Sequence, residues 1–445
     1  MTQVSESQDT YRAAFEQVQQ EVADGAGGPA ALRERAFTRF TEYGFPTTRL
    51  ERWRFTNVAP IAQGRFSLAA ASAVDPAALA PYDLSGVGPR IVCVDGRFAP
   101  QLSNVGDLPE GIAIRSLADV LTADPTSLDP HLGQLAGFDG AASSFTALNT
   151  GLLHDGLVIR VRPNTVIETP IHTMFASTGS GPTMAHPRVL LVAGAHSQVR
   201  LVESYVGLSD APYLTNGVTE IFVEDSAVVD HYKLIRESVE SYHVASMHLR
   251  LGRSANFSSH AITLGGAIVR NDVFATLDGE GGECTLNGLY LVDGHRLVDN
   301  HTTINHAKPH CNSHELYKGI LADQAHAVFN GKIIVEIDAQ KTDAKQTNKT
   351  LLLSEDAQIN TKPELEIFAD DVRCTHGATI GQLDAESLFY LRSRGLSSEQ
   401  ARNVLIHAFA SDLLNHIQIG SIREQLDAVL LQQLPGAGHT AFAMA

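Results

Sequence analysis

From about Leu157 to Ile380 the chain is an unbroken succession of short alternating runs, and no segment in it keeps a helical period. LVIRVR, VRLVESYV, TEIFVED, AVVDHYKLI and ASMHLRLG are typical, each set off by Gly, Asn, Asp or Ser. Alternation puts every second side chain on one face of a strand. More than 200 residues of such strands restrict the architecture to a sandwich, a propeller or a solenoid. With 36 glycines and a single tryptophan among 445 residues, the core is built from many turns and medium-sized apolar side chains.

An internal phrase narrows the choice. GAHSQVRL, EDSAVVDHY, GRSANFSSH, GEGGECTLNG and SEDAQINTKP each set a small residue after a turn and before an alternating strand. Aligning Ala195, Ala227, Ala255, Gly282 and Ala357 gives separations of 32, 28, 27 and 75, the last spanning two units through Ala325. Recurrence of this length fits coils of a solenoid, where each layer needs its neighbours to bury an apolar face.

Helical periods return at both ends. Tyr11, Phe15, Val18 and Val22 form an amphipathic stripe ended by GAGG at 25–28, and Leu32, Ala36 and Phe40 form a second that stops at Gly44, giving a helical hairpin. Trp53, in RLERWRFTNV, is expected to dock the helical part on the main body. Between 60 and 150, RIVCVDGRF reads as a hairpin and SLADVLTADP as a helix ended by proline. Towards the C-terminus Ser397 and Gln400 resemble a capping box. Val404, Leu405, Ala408, Phe409 and Leu413 make an apolar band, and a last helix from Ile422 to Leu434 precedes Pro435 and a frayed tail. The expected organisation is a helical region 1–60, a small α/β connection 61–150, a β core 151–381 and a C-terminal helical region 382–445.

Thirty-three basic against 50 acidic residues give a net charge of -17, which opposes adhesion to nucleic acid or anionic lipid. No apolar run approaches the roughly 20 residues that cross a bilayer, and the opening lacks the order of a signal peptide, so a cytoplasmic location is expected. Cys93, Cys284, Cys311 and Cys374 lie far apart with no CxxC pair. Such a chain supplies only some of the ligands of any cluster it meets.

The segment KPELEIFADDVRCTHGATIGQLDAESLFYLRSRG at 362–395 carries the sharpest chemistry. Cys374 and His376, at i and i+2, share one face of a strand and form a soft-metal or sulfur-handling pair, with the imidazole able to assist the thiolate. Gly377 and Gly381 read as bracketing a turn, Asp384 as a helix cap, and Arg392, Arg394 and Gly395 as a cationic last turn and stop. The group His301, His306, His310, Cys311 and His314 is metal-like in composition, but its spacing favours structural contacts between coils. FNGKI at 329–333 lacks the first glycine and the Ser or Thr of a phosphate loop, and neither GxSxG nor HExxH occurs. The acidic pairs Asp370–Asp371 and Glu364–Glu366 read as solvated strand residues.

The same 362–395 segment closely resembles the C-terminal signature of the SufB/SufD family, scaffold components of the SUF iron-sulfur cluster assembly machinery. CTHGATIG and LFYLRSRG look like the SufD branch. HTTINHAKPHCNSHELYKGIL at 301–321, the stretch 329–367 and GFPTTRLERWRFTNV at 44–58 are similar to the family as well. The resemblance implies a mainly β fold with a right-handed parallel β-helix core between N-terminal and C-terminal α-helical regions. It implies a non-catalytic scaffold subunit that pairs with SufB, docks the SufC ATPase on its C-terminal helices, and supports iron acquisition and assembly of a transient iron-sulfur cluster shared with its partner. On that reading His376 is a ligand at the SufB interface beside a SufB cysteine, Cys374 is auxiliary, and Arg392, Arg394, Leu405 and Phe409 serve partner binding. Flavin involvement and a homodimer of the isolated chain stay open. The alternatives are a SufB-like subunit, a β-helix interaction module without metal chemistry, and a polysaccharide-acting β-helix enzyme, which the scarcity of aromatics disfavours.

Overall fold

The computed structural model describes residues 2–22, 28–105 and 108–432. The glycine-rich break at 25–27 and the tail beyond 432, with Leu434 and Pro435, lie outside the described residues. Successive strands alternate between two sheets, one of eleven strands and one of ten, and from Leu157 onward they pair in parallel. Strands of the ten-stranded sheet begin at Gln198, Val228, Asn256, Glu283, Asn312, Asp343 and Arg373; those of the other begin at Leu214, Tyr242, Ile268, Leu297, His326 and Gln358. Each coil therefore contributes one strand to each sheet, and the chain is a two-sided parallel β-solenoid.

A repeated corner explains the recurring phrase. His196, Ser226, Ser254, Gly281, His310 and Lys341 all have positive φ, between 53° and 73°, and each stands two residues before a strand of the ten-stranded sheet. A non-glycine residue there costs about 1–2 kcal/mol. Compensation comes from a ladder: the amide of each donates to a carbonyl of the next coil, His196 to Asp225, Ser226 to Arg253, Ser254 to Glu280, Gly281 to Pro309, His310 to Gln340 and Lys341 to Asp371. The following residue, Ser197, Ala227, Ala255, Gly282, Cys311 or Thr342, is buried at the bend, where only a small side chain fits. The true column thus runs through Ser197 rather than Ala195. Ala325 and Ala357 occupy the other corner, before strands of the eleven-stranded sheet, so the interval of 75 is two and a half coils.

The inward faces of both sheets meet in an apolar core that includes Leu201, Val229, Phe257, Leu286, Ile221, Leu249, Leu277 and Phe329. Full burial of side chains of this kind contributes roughly 1.5–3 kcal/mol each. Helices cover the outer faces. Helices α1 (Thr2–Glu21), α2 (Gly28–Tyr43), α3 (Ala59–Gln63), α4 (Leu117–Ala123) and α5 (Ser144–Gly151) lie over the eleven-stranded sheet, with Phe15 stacked on Phe37 and Gly44 ending α2 at φ 64°. Trp53 is the docking point expected of it. Its ring lies under the Arg270 guanidinium at 3.8 Å, its indole N–H donates to the Ala142 carbonyl, and Arg270 is held by Asp272 and Asp299. The 90–98 hairpin forms, but its first strand joins the ten-stranded sheet in parallel, while Ile112–Ser116 joins the other antiparallel. The connecting region therefore closes off the first coil.

Over the ten-stranded sheet lie α7 (Ser398–Leu414) and α8 (Gly420–Gln432), while α6 (Ala385–Ser393), with no buried residue, packs against α7. The buried stripe of α7 is Ile406, Ala410, Leu413 and Leu414, packed on Val202, Leu234, Ile262, Leu289 and Ile320. The band read from Val404 and Ala408 was rotated on the helix: both face solvent. The α7 capping box between Ser397 and Gln400 is present.

Candidate functional site

The last coil is formed by Gln358–Ile367 and Arg373–Gly381, each an edge strand bonded on one side only. Among the described residues no further coil covers the interior beyond them, so side chains that would be core elsewhere are exposed here. Cys374 packs against Ile333, Val335, Ala339 and Ala344 and is half-buried; His376, two residues on and thus on the same inward face, is exposed. The strand runs unbroken to Gly381, so Gly377 lies within it and no turn separates the pair from the strand's end. Three residues later Asp384 caps α6 through the Ser387 amide, and Gly395, at φ 99°, stops it.

Cys374 and His376 therefore come together as expected, one thiol and one imidazole at the mouth of the solenoid. The thiol is not activated within the chain. Burial first, and Asp343 second, push its pKa up, away from the thiolate. His376 is the better placed donor.

Behind this pair the interior holds polar groups that the sequence reading missed. In register, His376 is stacked on Gln346 and Gln346 on Glu315, all facing inward from consecutive coils. Gln346 and Glu315 are 1% and 3% exposed. Nε2 of Gln346 donates to Oε2 of Glu315 at 2.7 Å. Burial raises the Glu315 carboxyl to about 7, against the opposing influence of Thr302 and Gln346. Gly331 of FNGKI makes room for this: a methyl group there would collide with the Gln346 amide. Lys332 points outward to Glu366 of the next coil at 2.7 Å. The glycine-lysine phrase is thus structural. No sequence signal separates Gln346 from other polar strand residues, because alternation alone does not tell which phase faces inward.

The His301–His314 group does not converge. His301 pairs with Asp299 at 2.9 Å beneath the Trp53 contact, and His306 hydrogen-bonds with Ser313. His310 is the left-handed corner residue, Cys311 the buried one after it, and His314 faces solvent. Among the described residues no three His, Cys, Asp or Glu side chains are gathered as a metal site.

The C-terminal candidates divide. Arg392 and Arg394 are exposed, with Arg394 over the ring of Tyr390 at 5.1 Å. Phe389 and Tyr390 beside them are 74% and 56% exposed. Leu405 is half-buried, whereas Phe409 packs on the solenoid, where the buried Lys318 donates to its carbonyl at 2.6 Å and pairs with Asp412. Phe409 is thus partly buried against the chain's own core.

Comparison with known proteins agrees with this architecture. Residues 175–409 match the profile of the SUF system FeS cluster assembly SufBD core domain, and residues 5–173 that of the SufBD protein N-terminal region. An iron-sulfur cluster assembly SufBD family protein of Synechocystis is 36% identical over 391 residues, 86% of each chain. The iron-sulfur cluster assembly protein SufD of Escherichia coli is 34% identical over 89% of this chain and 91% of its own. SufD of Bacillus subtilis is 26% identical over 86% of this chain and 88% of its own. Two profiles that together span nearly the whole solenoid and its flanks, with relatives at this level, lead to one conclusion: the chain belongs to the SufBD family of the SUF iron-sulfur cluster assembly system.

Proposed function

We propose that this chain is the D-type scaffold subunit of a SUF assembly complex. It pairs with a SufB-type subunit through the open end of the solenoid, in the cytoplasm, and helps build a transient iron-sulfur cluster there without catalysing a reaction of its own. The observation that carries this reading is the placing of His376 and Cys374, one borderline and one soft donor, on an edge strand whose outer hydrogen-bonding side is free. Ile367, Phe368 and Ile380, 40%, 59% and 48% exposed, surround them with apolar surface of the kind a partner covers. A homodimer of the isolated chain would use the same edge. Two donors from one side, the rest from the partner, make a site that can release its cluster.

The SufC-type ATPase is assigned to α6, where Phe389 and Tyr390 form an uncovered aromatic pair with Arg392 and Arg394 at its edge. Aromatic residues and arginine together favour an interaction surface. Because Arg373–Gly381 leads into α6 within three residues, movement of that helix is delivered directly to the strand carrying His376.

The test is copurification with SufB-type and SufC-type partners followed by anaerobic reconstitution and iron spectroscopy, with His376→Ala beside the wild type. Loss of cluster with the complex intact is the expected result. Full cluster yield in the variant would leave a purely structural interaction module, and absence of any ATPase association would remove the α6 assignment.

A further inference from the structure

The polar stack behind the open end leaves acceptors unpaired, and the outermost of the buried ones belongs to Gln346. Gln346 gives its amide nitrogen to Glu315, one coil inward, which leaves its amide oxygen unengaged on that side. That oxygen is buried and has no hydrogen-bond partner among the described residues. The next side chain in the stack is His376, the in-register neighbour of Gln346 on the adjacent strand. Adjacent strands are about 4.8 Å apart, so the imidazole and the amide are neighbours. A buried acceptor left unpaired is destabilising, which is a reason to find it a donor.

We propose that Gln346 is a positioning residue for His376: its amide oxygen accepts the N–H of one ring nitrogen and leaves the other nitrogen unprotonated at the open end, ready to bind a borderline or soft metal ion. Histidines that ligate metals characteristically donate their second ring N–H to such an acceptor, which fixes tautomer and orientation. Once ionised, Glu315 keeps the amide from flipping, because a carboxylate oxygen can accept from the amide nitrogen but gives nothing to the amide oxygen. Gly331 holds the path open on the opposite sheet. The column is therefore a chain of orientation, Glu315 to Gln346 to His376, and no atom of it except the outermost need touch the metal.

This inference rests on the reading of His376 as a ligand, and the two can fail separately. The tautomer is read on the full, metal-free chain by nitrogen-15 NMR of labelled histidine at pH 8.5, above the usual imidazole range, with the His376 signal assigned by its absence in His376→Gln. In wild type one tautomer dominates. In Gln346→Met, which keeps the volume and removes the acceptor, the bias is lost, and Gln346→Glu, which restores an acceptor oxygen, keeps it. Equal tautomer ratios in wild type and folded Gln346→Met would overturn the proposal; should Gln346→Met not fold, loss of the bias in Gln346→Glu would overturn it instead. In the reconstituted complex Gln346→Met is expected to lower metal affinity at the site about 10- to 100-fold. Normal cluster assembly in His376→Ala would remove the functional reading while leaving the tautomer result standing.

Discussion

Replacing Glu315 by glutamine separates the electrostatics of the interior from its packing. The carboxyl of Glu315 titrates at about 7 in the folded chain, against 4.5 as its ordinary value, because burial disfavours the charge. Between those limits the folded chain holds a proton that the unfolded chain has released. Stability from this group is therefore complete below about pH 4.5, falls as pH rises, and is lost above about pH 7. A shift of this size corresponds to about 3 kcal/mol. Glutamine carries no charge at any of these pH values, yet its amide oxygen still accepts from Gln346. Glu315→Gln should therefore match wild type near pH 4.5 and exceed it by about 3 kcal/mol at pH 8, roughly two orders of magnitude in the opening constant. Cys284 and Tyr317 also face this carboxyl; burial pushes both further from ionisation, so they stay neutral across the window. Thr302 approaches it without a well-formed hydrogen bond, and His376, one coil beyond Gln346, is common to both proteins. Solenoid stability is nearly local, so the assay is hydrogen exchange in Asn312–Leu321 and Asp343–Leu352, compared between the two proteins at each pH. A protection ratio that stays constant from pH 4.5 to 8 would refute the reasoning.

Three other perturbations follow from the same geometry. Gly331→Ala forces a methyl into the Gln346 amide and should cost about 1–3 kcal/mol, read as a lower thermal midpoint with exchange increased in Asp343–Leu352. Ser397→Ala removes the capping box and should destabilise the first turn of α7 by about 1 kcal/mol, visible as faster exchange at 398–401 with the solenoid unchanged. The Lys318 contact should respond asymmetrically. Asp412→Ala strands a buried ammonium and should loosen α7 by several-fold in exchange, whereas Lys318→Met leaves only a half-exposed carboxylate and should be near neutral; equal losses in the two variants would contradict this account.

Much of the fold was legible because its signals are local. Alternating runs gave the strands, Gly44 and Gly395 the helix stops, and Asp384, Ser397 and Gln400 the caps, each a matter of a few neighbouring residues. Cys374 and His376 were legible for the same reason, since i and i+2 on a strand share a face whatever surrounds them. What failed was phase. Gln346 and Glu315 sit inside, as does Lys233, which reaches Asn271 across the interior at 2.8 Å. A strand with polar residues on its inward face looks inverted when burial is inferred from polarity. The α7 stripe was misread for a related cause: Ile406 and Ala410 flank a band of equally apolar residues, and only the sheet beneath decides which stripe is buried. Left-handed corners at His196, Ser226, Ser254, His310 and Lys341 were hidden because inter-coil bonds, not residue type, stabilise them.

The two ends of the solenoid are treated differently, and the difference bears on where chemistry can be placed. At the start, the antiparallel strands Arg97–Phe98 and Ile112–Ser116 finish the two sheets and leave only short edges. At the other end two edge strands, Gln358–Ile367 and Arg373–Gly381, stand bare, with exposed apolar residues beside them. Long unpaired edges invite pairing with another chain, and soluble proteins ordinarily blunt them. An edge left open for a partner has a further consequence for the groups on it. His376 is exposed in the free chain, and under the proposed pairing it becomes interior when the partner's strand or coil is laid over it, so that assembly rather than folding sets its environment. A ligand placed deeper, at Glu315, would be sealed from solvent and could neither receive nor release a cluster. A ligand placed on an outer face would gain nothing from the partner's arrival. Under the proposed pairing, the last inward position of the open coil is where a side chain is oriented by its own fold and enclosed by a partner's.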